Sequence, residues 1–144
     1  MTVAETLYNE AQASGIEIIN YRVPTGSLAV QIGAQFYIGL DEQSMKGEAD
    51  TVCHLAHEMG HCYTHSMYAL NEDIVSRRKC ERKANVWSIK RLVPKQRYEA
   101  SACDNVWDLA EEFSVTVQMA AMAAHYYKTG ELNAKIYEEL YGTA

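Results

Sequence analysis

The sequence predicts an α+β fold: a small three-stranded, mostly antiparallel sheet packed on a helical bundle. Three observations predict it. Three β-rich runs bounded by turn residues fall within the first forty or so positions, and apolar residues recur at helical spacing from about Ser44 onward. Hydrophobic residues make up 48% of the 144 positions, enough for one ordinary core. Strands first and helices afterwards is the α+β order.

The elements follow in chain order. A first helix runs from about Ala4 to Ala13, with Leu7, Tyr8 and Ala11 on one face and Gly15 as its stop. The run Ile16 to Val23 ends at Pro24, Leu28 to Ile32 ends at Gly33, and Phe36 to Leu40 follows closely. Thr25-Gly26 and Gly33-Ala34 read as the turns between them. One long helix is expected from near Met45 to near Thr64, and a second from Ile74 or Ser76 to Leu92. The second must end there, because Val93 precedes Pro94 and a residue before proline disfavours helix. Shorter helices are expected around Glu99–Cys103, Trp107–Phe113 and Thr116–Tyr127, and a last one from about Glu131 to Leu140. The length favours one domain over residues 1–144. Within it, 1–43 carries the first helix and the sheet, 44–93 a helix pair, and 94–144 the remaining helices.

Composition narrows the functional classes. A formal net charge of −6 argues against a basic nucleic-acid surface. No apolar run approaches the roughly 18 to 20 residues needed to span a bilayer. Met1 to Glu5 carries no basic start to a signal peptide, so a cytoplasmic location is expected. Cys53, Cys62, Cys80 and Cys103 form no C-x-x-C pair and read as free thiols.

His57-Glu58-Met59-Gly60-His61 is an H-E-x-x-H sequence. Residues four apart lie on one helix face about one turn apart, so two imidazoles in that relation can grip one zinc ion. The intervening Glu58 then reaches the open coordination position and can act as general base. Gly60 is a poor helix former, costing about 1 kcal/mol relative to alanine, and is useful there if another element packs close.

A catalytic zinc usually has three protein ligands. A third histidine ten residues after His57 is absent, since that position is Met67. His65 lies eight residues from His57, about 12 Å along a helix axis, too far to share one tetrahedral ion. His54 has a similar problem with His61, and both read as supporting or surface groups. Glu81 on the next helix is the best candidate. Asn85, four residues on, shares its face and can accept a hydrogen bond from a ligand histidine. Taken alone, Glu81 among Arg77, Arg78, Lys79, Arg82 and Lys83 would read as a solvated charge. Tyr68, with His65, is a candidate supporting group near the ion.

His57-Glu58-Met59-Gly60-His61, then Glu81-x-x-Ala84-Asn85, then Leu92-Val93-Pro94 resembles the ImmA/IrrE family of metallopeptidases. The resemblance spans about Ile16 to Lys128. It implies a minimal gluzincin-like fold, one Zn2+ held by His57, His61 and Glu81, and Glu58 as the base. It also implies cleavage of a protein substrate, a helix-turn-helix repressor of a mobile element or stress operon. One departure concerns substrate contacts: the helix holding Met119 to His125 lacks the family's arginine.

Two rival readings stand beside this one. Leu109 to Thr116 resembles the start of a helix-turn-helix, but Val117 to Tyr127 carries no Lys or Arg for phosphate contacts, so direct nucleic-acid binding is not expected. The alternative function is a metal-binding regulatory partner without proteolytic turnover.

Overall fold

The computed structural model describes residues 1–67 and 72–132. The first helix, α1 (Val3–Ala13), opens with a capping box. The Thr2 hydroxyl accepts from the Glu5 amide and the Glu5 carboxylate accepts from the Thr2 amide, so two orphan N–H groups are satisfied together. Leu7 and Ala11 on its inner face are fully buried.

Three strands follow: β1 (Glu17–Asn20), β2 (Ser27–Ile32) and β3 (Gln35–Leu40). The sheet order is β1-β3-β2. β2 and β3 form the expected antiparallel hairpin, pairing Ser27 with Leu40 and Ile32 with Gln35. β1 instead pairs with β3 in parallel, Glu17 opposite Tyr37 and Asn20 opposite Leu40. The sheet is therefore mixed: its longer pairing is the expected antiparallel hairpin, and β1 joins that hairpin in parallel. The physical reason is the segment from Tyr21 to Gly26. It does not fold β1 back against β2 but carries the chain across one end of β3, pinned there by Tyr21 N to Leu40 O (3.1 Å) and Asp41 N to Gly26 O (2.8 Å).

A short 3-10 turn at Glu42–Ser44 precedes α2 (Glu48–Tyr63). The helix begins three residues later than Met45 because Gly47 takes φ +129°, a conformation that breaks the helix and suits glycine. Then come α3 (Ile74–Leu92), α4 (Lys95–Ala100), α5 (Val106–Phe113) and α6 (Val117–Thr129). α3 starts at an Asp73 cap, whose side chain accepts from Ser76 N, and stops before Pro94 as expected. α4 lies earlier than the expected Glu99–Cys103 because Pro94, which ends α3, also caps the next helix. The expected helix over 131–140 falls almost wholly outside the described residues.

One apolar core joins all the layers. Leu7, Ile38, Val52, Leu55, Met59, Ile89, Phe113, Met119 and Met122 are buried in it. α6 thus turns Met119, Ala120, Met122 and Ala123 inward. Arg91 of α3 and Glu10 of α1 form an ion pair that ties the first helix to the third. Among the described residues no helix is long and apolar enough to cross a membrane.

Candidate metal centre

α2 carries His57 and His61 one turn apart, facing α3 rather than the sheet. α3 returns alongside α2 and brings Glu81 and Asn85 to the same place. The two helices touch at Gly60 and Ala84: a Cβ built on Gly60 would lie 2.6 Å from the Ala84 carbonyl oxygen. Glycine at this point lets the backbones approach, and the approach is what brings the carboxylate of Glu81 to the imidazoles.

The three groups converge closely. His57 Nε2 lies 3.0 Å from Glu81 Oε2, and His61 Nε2 lies 3.1 Å from Glu81 Oε1. The two Nε2 atoms are 3.2 Å apart. One ligand atom from each of the three residues fits within a 4.8 Å span, so this cluster can hold a metal ion.

The chemistry of the donor set fits a cation. His61 Nδ1 is 2.8 Å from the Ser66 carbonyl oxygen, which can only accept, so Nδ1 carries the proton. His57 Nδ1 faces Asn85 Oδ1 at 2.8 Å and is fixed in the same way. In their neutral forms both rings then present Nε2 lone pairs to each other and to a carboxylate. Three electron-pair donors at hydrogen-bond distance repel unless a proton or a metal ion sits among them.

The electrostatics of the bare cluster express the same demand. Burial alone would depress the His57 imidazolium. Hydrogen bonding to Glu81, the charges of Glu58 and Glu81, and the Asn85 contact outweigh it and push its pKa up to about 9. Burial alone would raise Glu81, but hydrogen bonds and charge from the two imidazoles hold it well below the usual carboxylate range.

Glu58 lies on the same helix and is 6% exposed. Its Oε2 accepts a 2.6 Å hydrogen bond from the hydroxyl of Ser27, the first residue of β2. The Ser27 hydroxyl also lies 2.7 Å from His54 Nδ1. His54 is thus turned toward the sheet, with Nε2 3.7 Å from Asp50. His65 is exposed, at φ +50°, with its ring 5.6 Å from that of Phe36. Tyr68 lies outside the described residues.

Two contributors carry no signal in the sequence. Ser66 acts through its main-chain oxygen, which any residue type supplies. Ser27 is one serine at a strand start, thirty-one positions before Glu58. The cysteines stand apart as free thiols. Burial pushes the Cys62 thiol up to about 12 and raises Cys53 and Cys80, and none of the three joins the His57, His61, Glu81 cluster among the described residues.

A family model described as the IrrE N-terminal-like domain, a peptidase family, matches residues 37–125. The match takes in His57, Glu58, His61, Glu81 and Asn85. No curated protein and no solved structure matches the chain.

Proposed function

From the premise that the chain belongs to the IrrE N-terminal-like peptidase family, we propose that it is a zinc-dependent endopeptidase acting on a protein substrate. His57, His61 and Glu81 are the metal ligands in this reading and Glu58 is the general base. The observation that carries it is the convergence of two Nε2 lone pairs and one carboxylate, with both Nδ1 protons already committed elsewhere.

A zinc ion held there supplies Lewis acidity toward the scissile carbonyl and makes water a nucleophile near neutral pH. The chain's own residues do the rest. Glu58 takes the proton of the attacking water and passes it to the leaving amine. Asn85 and the Ser66 carbonyl hold the two imidazoles so that Nε2 points inward.

A protein substrate fits the surroundings of the site. β2 is an edge strand of the sheet, and its residues Val30 and Ile32 are exposed. An extended peptide segment can add to such an edge by main-chain hydrogen bonds, and Ser27 at its start is bonded to the proposed base. The substrate we infer is a helix-turn-helix repressor, on the strength of the family resemblance. α6 buries the apolar face of what would be a recognition helix, which favours a role in the core over one in DNA contact.

The test is cleavage of purified repressor, or of a fluorescence-quenched peptide library, by zinc-loaded protein, read by intact mass. Cleavage is expected, together with its loss in Glu58→Gln. Stoichiometric zinc with no cleavage of either would favour the regulatory metal-binding alternative.

A further inference from the structure

The carboxylate of Glu58 is held from a second direction. The metal ligands are organised by the α2–α3 contact, whereas Glu58 is tied to the sheet. Ser27 is 6% exposed and Glu58 is equally buried, so the 2.6 Å bond between them is shielded from water.

The direction of the hydrogen bonds follows from counting protons. The Ser27 hydroxyl has one hydrogen, and an ionised carboxylate only accepts. That hydrogen therefore goes to Glu58 Oε2. The Ser27 oxygen is then an acceptor for its other neighbour, so His54 Nδ1 must carry a proton and donate it over 2.7 Å. The chain of donation runs from His54 through Ser27 to Glu58.

The support behind it is fixed by the turn before β2. Gly26 takes φ +92°, and a Cβ there would stand 2.7 Å from His54 Cε1, so the glycine makes room for the imidazole against the backbone. Gly26 itself is anchored at both ends, its amide to Val23 O at 2.9 Å and its carbonyl to Asp41 N at 2.8 Å. Asp50 stands on the other side of the His54 ring.

We propose that Ser27, oriented by His54, is the positioning residue for the Glu58 carboxylate, engaging Oε2 so that Oε1 is the oxygen presented to the attacking water. This rests on the peptidase reading of Glu58. A carboxylate tethered at one oxygen loses rotation about its last bond, and the remaining oxygen is aimed before substrate arrives. Neither Ser27 nor His54 is among the candidate metal ligands, so zinc binding is independent of the linkage.

The experiment compares zinc-loaded wild type, Ser27→Ala and Ser27→Thr in three readouts. Side-chain 15N–1H NMR reports the His54 ring, 13C NMR of labelled glutamate reports the Glu58 carboxyl, and the best-cut member of a fluorescence-quenched peptide library gives kcat and KM. We expect a protonated Nδ1 at His54 in wild type and a displaced Glu58 carboxyl signal in Ser27→Ala. In that variant kcat falls roughly 10- to 100-fold while KM and zinc content stay within about twofold. Threonine keeps the hydroxyl and restores kcat to within a few-fold of wild type. An unprotonated Nδ1 at His54, an unmoved Glu58 signal, or full kcat in Ser27→Ala overturns the proposal. If the wild type cuts neither the peptides nor the purified repressor, the peptidase reading fails, and the two NMR readouts still decide the linkage.

Discussion

The backbones of Gly60 and Ala84 meet with no side chain between them. A Cβ on Gly60 would stand 2.6 Å from the Ala84 carbonyl oxygen and 3.0 Å from its Cα. Because the obstacle is backbone, relief requires α2 and α3 to move apart. Gly60→Ala therefore sets a helix-propensity gain of about 1 kcal/mol against an overpacking penalty of about 1–3 kcal/mol. The expected net result is a protein less stable by up to about 2 kcal/mol in urea unfolding. Its zinc affinity should also be weaker, because Glu81 is carried away from the two imidazoles. A variant with wild-type zinc affinity would show that the contact does not set the site.

Glu81→Ala removes the only carboxylate that both imidazoles contact among the described residues. Purified variant should hold much less than one zinc per chain by elemental analysis. Glu58→Gln should keep its zinc and lose cleavage by roughly a hundredfold or more, the scale of a general base. Equal zinc in Glu81→Ala and wild type would remove Glu81 from the ligand set.

Asn85→Ala leaves His57 Nδ1 without its 2.8 Å acceptor. The ring is then free to rotate and to change tautomer. Zinc affinity, measured by chelator competition, should fall about 10- to 100-fold with the fold intact. The effect should exceed that of Lys83→Ala, an exposed neighbour on the same helix.

Metal binding should release a proton. Without a metal the pKa of His57 is raised to about 9, so at pH 7.5 the ring is charged and must lose its proton to become a ligand. Calorimetric titration of zinc in buffers of different ionisation enthalpy should detect about one proton released near pH 7.5. Affinity should rise with pH until about 9. The sign for stability of the chelator-treated protein runs the other way. A raised histidine pKa stabilises the fold fully below about 6.5, and this contribution is lost as pH rises through about 9. Glu81, held low, contributes above its ordinary range and loses that contribution in acid. Unfolding midpoints of metal-free protein that rise between pH 7 and 9 would contradict the arrangement.

Much of the site was legible because its chemistry repeats with the helix. His57 and His61 four apart, and Glu81 and Asn85 four apart, are patterns of the sequence that need only a helix to become faces. Even the closeness of the two helices left a mark, in Gly60 and Ala84. The sheet was less legible. β2 and β3 are joined by a tight turn at Gly33-Ala34 and pair as local turn chemistry suggests. β1 is placed by a crossing over the end of β3, and no residue in Tyr21 to Gly26 encodes which side of the sheet it reaches.

Residue type and a 3.6-residue period were enough to place the helix pair, the residues each helix presents, and the H-E-x-x-H pattern on one helix face. Tertiary structure alone decided three things. It put β1 parallel to β3, it gave His61 the carbonyl of Ser66, and it brought the Ser27 hydroxyl to Glu58. A main-chain oxygen is the same in every residue, and a hydroxyl thirty-one positions away reaches a carboxylate only when strand and helix have packed. Contacts of that kind are written in the geometry of the packed chain and not in any local run of residues.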